Sequence, residues 1–353
     1  MVCYDPTLNK NAFRNRQQAG KLGAQSSQPS QKQTVKAQHE VKIGLAISSG
    51  GARGLAHLGV IEILEKNNIP IAAVAGSSMG AYVGALWCAG YNAQQLIKLA
   101  EEIHSPRQFR KLSDLALPPS KGIFWGLKAR NHLRKSIGDI HFEALKRPLI
   151  VIAADLDTHR RVIGHQGRVI DAVHASCALP GLIVPVHYQG HRCIDGGVIE
   201  PIPICSLRKH VDLDYVIAVS TIPSGREIEA CSAIKTPPPK KSILRRALAF
   251  GIKPFNLLAP GNIIDTFNKS LKASQIRMAD DAYAYADLVI KPVSCQGNWY
   301  DYHNYQHFIE IGRQAAEKAL PKIFELLQSA HKNQVNLPHD PPPKPLVGKR
   351  LSR

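Results

Sequence analysis

One stretch constrains this chain more than any other: Ala73-Val74-Ala75-Gly76-Ser77-Ser78-Met79-Gly80-Ala81-Tyr82-Val83-Gly84. The apolar run Ile71–Ala75 reads as a strand buried on both faces, as in a parallel sheet. Gly-x-Ser-x-Gly follows at once, and from Met79 to Ala89 the chain is apolar nearly all round. A helix there can sit close to a sheet through Gly80, Gly84 and Ala85. Between strand and helix the turn forces Ser78 into a tight conformation, with Gly76 and Gly80 leaving room for it. Such a turn lifts a serine oxygen out at the end of the sheet and points backbone N–H groups of the new helix toward its target. At ordinary glycine and serine usage the pattern arises by chance in roughly one chain of this length in ten. The turn alone therefore does not decide the chemistry.

A second glycine cluster lies upstream. Val41–Ile47 reads as a strand that runs into Ser48-Ser49-Gly50-Gly51-Ala52-Arg53-Gly54, and a helix with Leu55, Leu58, Ile61 and Leu64 on one face follows. Strand, glycine loop and helix start form an anion-binding arrangement, because free N–H groups and the helix dipole converge on the loop. A phosphate-binding loop needs Gly-Lys-Ser/Thr, which is absent, and a dinucleotide fingerprint needs glycine where Ser49 stands. What remains is an oxyanion hole, in which the Gly50 and Gly51 N–H groups hold charge developing on a carbonyl oxygen. Arg53 steadies the loop or the substrate in that scheme, or is simply a solvated arginine at a helix start.

Asn67–Ile97 contains no charged residue and is long enough to span a bilayer. Pro70, the serines, the glycines and the polar Asn92, Gln94 and Gln95 interrupt it, so it reads as buried strand plus buried helix. The net charge is +18, and the two ends supply half of it: residues 1–39 carry six Lys/Arg against Asp5, and residues 331–353 five against Asp340. No zinc-finger, helix-turn-helix or aromatic–basic RNA-binding pattern accompanies that charge, so nucleic acid is not expected as a partner. Seven scattered cysteines without Cys-x-x-Cys spacing argue against a disulfide framework and for a reducing, cytoplasmic compartment. No apolar signal segment is visible in the first 40 residues. No metal-ligand cluster or cofactor motif stands out.

Further along, Leu149–Ala154 reads as a buried strand ending in Asp155, and His191–Ile194 as a short strand delivering Asp195-Gly196-Gly197. Taken alone, Asp-Gly-Gly reads as a turn. Taken together, the blocks resemble a patatin-like phospholipase domain, of the bacterial group near the neuropathy-target-esterase lineage. They are Ser49-Gly50-Gly51-Ala52-Arg53-Gly54 with Leu55–Val60, then Gly76–Gly80, Ala175–Gly181 and Asp195-Gly196-Gly197, in that order between Val41 and Leu207. The resemblance implies a nucleophile at Ser78 and its base at Asp195. It also implies an oxyanion hole from Gly50, Gly51, Ala52, Arg53 and Gly54, with Gly76, Gly80, Gly196 and Gly197 supporting the motifs. Ser49 departs from it, standing where glycine is usual. A serine fits there only if the position needs no positive φ.

The expected activity is a serine acyl hydrolase on fatty acyl esters of membrane lipids, a phospholipid or lysophospholipid, through a Ser–Asp dyad and an acyl-enzyme. A serine hydroxyl needs a positioned base, and an aspartate serves best when desolvation raises its pKa. Two other readings stay open. One is a Ser-His-Asp triad of α/β-hydrolase type, with Asp155, Asp171 or Asp195 as acid and His210, His303 or His307 as base. The other is a catalytically impaired patatin-like module that binds lipid or regulates.

The expected fold is a three-layer α/β domain with a mostly parallel central sheet. Residues 1–40 form a disordered basic tail, 41–220 the catalytic core, 276–330 a closing strand and helix interrupted at Pro321, and 331–353 a second disordered tail. Residues 221–275 form a basic, proline-containing insert: from Ala230 to Asn262 cations interleave with apolar residues and no acid occurs. That pattern suggests peripheral docking on an anionic membrane, at the inner face. A basic loop capping a helical pair has the same pattern.

Overall fold

The computed structural model describes residues 41–103, 114–118, 120–233, 263–293 and 300–335. Its sheet is laid down by the apolar runs. β1 (Ile43–Ile47) leads through a 3-10 turn, Gly51–Leu55, into α1 (Ala56–Lys66). β2 (Ile71–Ser77), α2 (Met79–Cys88) and α3 (Ala93–Ile103) follow. Next come α4 (Leu127–Ile137), β3 (Leu149–Asp155), β4 (Arg161–Gly164), α5 (Val169–Ser176), β5 (Val186–Tyr188) and β6 (His191–Asp195). The described chain closes with α6 (Ile204–His210), β7 (Tyr215–Val219), α7 (Gly225–Ala233), α8 (Ile263–Ala282), β8 (Leu288–Ile290) and α9 (Tyr305–Val335).

The eight strands form one sheet in the hydrogen-bonded order β5-β6-β3-β2-β1-β7-β8, with β4 also on β3. β3-β2-β1-β7-β8 are parallel, and β4, β5 and β6 add antiparallel pairings. Side chains alternate between two cores. Ile43, Leu45, Ile47, Val74 and Val151 join a cluster with residues of α1, α2, α5 and α9. Ala46, Ala73, Ala75, Ile150 and Ile152 join a second with residues of α6 and α8. Helices therefore cover both faces, which is the expected three-layer α/β arrangement. The second face is built from small residues and is tight: a Cβ on Gly44 would lie 2.4 Å from Leu213 Cδ1.

α2 accounts for the long uncharged stretch. Gly80, Ala81, Val83, Gly84, Ala85, Leu86, Trp87 and Cys88 are all buried, so the run is apolar because it is enclosed. Among the described residues no helix is long and apolar enough to cross a membrane.

Three expectations change. α9 is not interrupted at Pro321 but continues through it to Val335, beyond the boundary placed at residue 330. Pro321 is exposed, while Ala319 and Ile323 beside it are buried in the core, so packing on both sides outweighs one lost backbone bond. α8 crosses the boundary drawn at 275/276, and most of the basic segment, residues 234–262, lies outside the described residues, as do 1–40 and 336–353. Cys205 is disulfide-bonded, so not every cysteine is free; Cys88, Cys177 and Cys193 are.

The pairing on β3 positions the site. Val151 and Ile152 pair with both β2 and β4, and Ala153 and Ala154 with both β4 and β6. A strand has two edges, so β2 and β6 occupy the same edge of β3 in succession. β2 leaves at Ser77, opposite Ile152, and β6 ends at Asp195, opposite Ala153. The residue after β2 and the last residue of β6 are thus brought side by side.

Candidate active site

Ser78 lies in the turn between β2 and α2 with φ 55 and ψ −122, a conformation that L-residues rarely adopt. The surroundings hold it there. Its N–H donates to Ser176 Oγ at 2.9 Å, and its carbonyl accepts from Tyr82 N–H at 3.0 Å and from the Cys177 thiol at 3.3 Å. The flanking glycines are required for space: a Cβ on Gly76 would stand 2.5 Å from the Gly80 carbonyl, and one on Gly80 2.4 Å from the Ile47 carbonyl.

Asp195 receives the serine. Ser78 Oγ donates to Asp195 Oδ2 at 2.5 Å, and Gly197 N–H donates to Oδ1 at 2.7 Å. Asp195 is only 2 % exposed. Burial pushes its carboxyl up to about 6, against the opposing pull of the Ser78 and Gly197 hydrogen bonds. Gly196 lets the chain pass β3, since a Cβ there would fall 2.0 Å from the Ile152 carbonyl. A Cβ on Gly197 would lie 2.9 Å from each of Asp195 Oδ1, Gln275 Nε2 and Ser49 Cβ, which brings α8 and the glycine loop against the carboxylate.

The glycine loop packs beside the serine turn, for a Cβ on Gly54 would sit 2.4 Å from Met79 Cγ. Gly51 takes φ 57, and with Ala52, Arg53 and Gly54 it forms the 3-10 turn, whose first N–H groups have no partner within the turn. Ser49 needs no positive φ, which is why a serine is accommodated where glycine is usual. The loop is braced from the end of β7. Thr221 Oγ1 donates to the Ser49 carbonyl at 3.0 Å, and Thr221 N–H donates to Ser48 Oγ at 3.0 Å. Thr221 Oγ1 also fills the space where a Cβ on Gly50 would be, 2.2 Å away. Beneath the loop His57, fully buried, is pushed down to about 4 by burial and is neutral. Its Nε2–H donates to the Ser48 carbonyl at 2.9 Å.

Arg53 is half-buried. Burial lowers its pKa while nearby Asp301 supports the charge. Lys272 of α8 is pushed down to about 8, chiefly by burial and secondly by the Arg53 cation. Most of the other acids and bases considered from sequence are engaged elsewhere. Asp155 binds Thr158, the Asp157 N–H and His191, and Asp171 binds Arg130 and Arg168. His210 Nδ1 contacts the Ser206 carbonyl, His303 is exposed, and the His307 ring lies against Phe308. Among the described residues no three His, Cys, Asp or Glu side chains gather to hold a metal ion.

Sequence reasoning did not single out Ser176, Cys177, His57, Thr221 or Gln275 as parts of the site. For Ser176, Cys177 and His57 a signal existed, because they lie inside the motif blocks Ala175–Gly181 and Leu55–Val60. Thr221 and Gln275 stand in no motif and arrive by tertiary packing alone.

Residues 45–207 match the family model for patatin-like phospholipase. An uncharacterized NTE family protein of Mycobacterium tuberculosis is 34% identical over 186 residues, 53% of this chain and 51% of that protein. Neuropathy target esterase sws of Drosophila melanogaster is 30% identical over 181 residues, 50% of this chain and 13% of the fly protein. The chain thus spans about half the length of the mycobacterial relative and much less of the fly one. Human GIVD cytosolic phospholipase A2 is similar in structure with a TM-score of 0.46 and 11% identity, over 83% of this chain and 60% of the human chain. The serine turn, the Asp-Gly-Gly strand end and the glycine loop all fall inside or beside the matched span, and residues 45–207 of this chain form a patatin-like phospholipase domain with homologues among NTE family proteins.

Proposed function

We propose that the protein is a serine acyl hydrolase that cleaves fatty acyl esters of membrane lipids, phospholipid or lysophospholipid, through the dyad Ser78–Asp195. The observation that carries this reading is the 2.5 Å hydrogen bond from Ser78 Oγ to a carboxylate that is itself buried and raised to about 6. A carboxylate with that pKa is ionised at neutral pH yet basic enough to accept a proton.

Asp195 takes the proton of Ser78 as Oγ attacks the ester carbonyl carbon. The negative charge moves to the carbonyl oxygen, where the Gly50 and Gly51 N–H groups at the start of the 3-10 turn stabilise it. Ala52, Arg53 and Gly54 keep that turn in shape, and Thr221 and His57 hold it from below. The C–O bond to the alcohol then breaks, and the alcohol leaves with the proton from Asp195. Water next gives its proton to Asp195 and attacks the acyl-serine. The fatty acid departs and Ser78 recovers its proton. No metal or cofactor enters the scheme.

The anionic membrane docking proposed for residues 221–275 rests on sequence, because most of that segment lies outside the described residues. Trapping tests the catalytic reading. A p-nitrophenyl acyl ester, quenched in the first turnover, should leave one acyl group on the peptide containing Ser78. An unmodified wild-type protein, or acylation that persists in Ser78→Ala, would overturn the assignment.

A further inference from the structure

Glu200 is a buried acid that the reaction scheme leaves idle. It is 0% exposed, and both of its carboxylate oxygens are engaged. Oε2 pairs with Arg161 Nη1 at 3.1 Å and accepts from the Ser206 hydroxyl, while Oε1 accepts from the Ser206 N–H at 3.1 Å. Arg161 opens β4 and also reaches Ser206 Oγ at 3.3 Å, and Ser206 lies in the first turn of α6. A carboxylate withdrawn from water is tolerated in a folded protein only with such partners. They fix where residue 200 stands relative to the sheet and to α6.

That position matters because of the backbone around it. The Glu200 N–H donates to the Gly196 carbonyl at 2.9 Å, holding the turn that follows Asp195. The Glu200 carbonyl accepts from the Ser77 hydroxyl at 2.6 Å, one residue before the nucleophile. The next carbonyl, of Pro201, accepts from the Ser49 N–H at 2.8 Å, one residue before Gly50. Base turn, serine turn and glycine loop come from distant parts of the chain, and residues 200 and 201 bond to all of them. Ser77 and Ser49 are buried, so water does not compete for these bonds.

We propose that Glu200 is a positioning residue for the reaction. Its carboxylate, clamped between β4 and α6, sets the spacing of Ser78, Asp195 and the glycine loop through the bonds to Ser77, Gly196 and Ser49. It takes no proton and acts only through those neighbours. A purely stabilising ion pair would lower the melting temperature and leave the rate of the folded protein unchanged. A positioning residue slows the chemical step, because a shift of about 1 Å between reacting groups costs up to about a hundredfold. The inference rests on reading Ser78 as nucleophile and Asp195 as base.

The test uses Glu200→Gln in the full chain, which keeps the shape and removes the charge paired with Arg161. Well below the melting temperature, kcat on a p-nitrophenyl acyl ester should fall on the order of thirtyfold, with KM changed less than about threefold. Ser77→Ala, which cuts only the link to the serine turn, should cost about fivefold, and the double variant should lose less than the product of the two. A wild-type kcat in Glu200→Gln, or single losses that multiply, would overturn the proposal. Hydrogen exchange keeps it apart from the catalytic reading. In Glu200→Gln, peptides covering residues 48–54 and 76–80 should exchange faster by about tenfold, while those of α3 match wild type. A uniform rise across the molecule would make Glu200 a global stabiliser and overturn the proposal. If wild type fails to hydrolyse the ester, the catalytic reading falls, and the exchange pattern still decides whether Glu200 holds the three segments. Should Glu200→Gln not fold, Ser206→Ala, which removes one donor to the carboxylate, puts the same questions with a loss of about threefold in kcat.

Discussion

Asp155 and Asp195 close neighbouring antiparallel strands, β3 and β6, two residues apart in register, and are 3% and 2% exposed. Their chemistry is opposite. Asp155 is held down to about 2 by the Thr158 hydroxyl first, then by the Asp157 N–H, with His191 adding to them against the cost of burial. Asp195 is pushed up to about 6 by burial, which its two donors, Ser78 and Gly197, do not offset. Asp155 accepts from a hydroxyl at 2.6 Å and a backbone N–H at 3.0 Å and has an imidazole at 2.9 Å, so its charge is satisfied locally. Asp195 has one structural donor, and its other partner is the hydroxyl whose proton it would take. Desolvation leads at Asp195 and local donors lead at Asp155, so the first carboxylate is raised as the proposed base requires and the second is held down as a turn anchor.

The largest expected effect separates them by activity. Ser78→Ala and Asp195→Asn should each lower kcat on a lipid ester roughly ten-thousand-fold, whereas Asp155→Asn should keep a measurable rate in the same assay. Comparable losses at both aspartates would erase the distinction.

The second effect is on stability and has the opposite sign at Asp195. Its folded pKa, about 6, lies above the reference value of 3.8. Ionisation therefore costs the folded state free energy, nothing well below the lower value and the full amount above the higher one. Asp195→Asn should stabilise the fold at pH 8 by up to about 3 kcal/mol, with the gain gone near pH 3, as chemical denaturation at the two pH values would reveal. A destabilised variant at pH 8 would mean that the carboxylate is better solvated than its enclosure indicates.

Asp155 should behave in reverse. Its folded pKa is depressed, so its contribution is present above about pH 4 and fades as pH falls toward about 2. Asp155→Asn should lower the melting temperature at pH 7 and converge with wild type in strong acid. The smallest effect belongs to Thr158→Val, which removes the leading donor and should lower the pH 7 melting temperature by less than Asp155→Asn. An equal or larger drop would show that the threonine acts through packing.

The parts of this site that could be seen in the sequence are those written locally. Gly76, Gly80, Gly196 and Gly197 announce two close backbone passages, and the residues between or before them, Ser78 and Asp195, are the ones the fold brings together. β1, β2, β3 and α2 were equally legible, because hydrophobic runs bounded by glycine and proline carry their own signal, whereas the short β4 and β5 do not read as strands. What sequence could not tell is how β3 shares one edge between β2 and β6, since that depends on register across more than a hundred residues. Thr221 and Gln275 are invisible for the same reason. Pro321 misleads because its local rule is correct and is outweighed by packing at Ala319 and Ile323. Gly59 and Gly312 were also missed: each would drive a Cβ to 2.0 Å from a carbonyl of the facing helix, so α1 and α9 touch backbone to backbone. A lone glycine within a helix does not say what it faces.

The most direct test of the Ser78–Asp195 assignment is the pH dependence of fluorophosphonate labelling, with the labelled peptide identified by mass spectrometry. Modification should fall on Ser78, rise with pH through a midpoint near the value of about 6 that burial imposes on Asp195, and disappear in Asp195→Asn. Labelling that persists in Asp195→Asn at the wild-type rate, or that reaches another residue, would contradict the account.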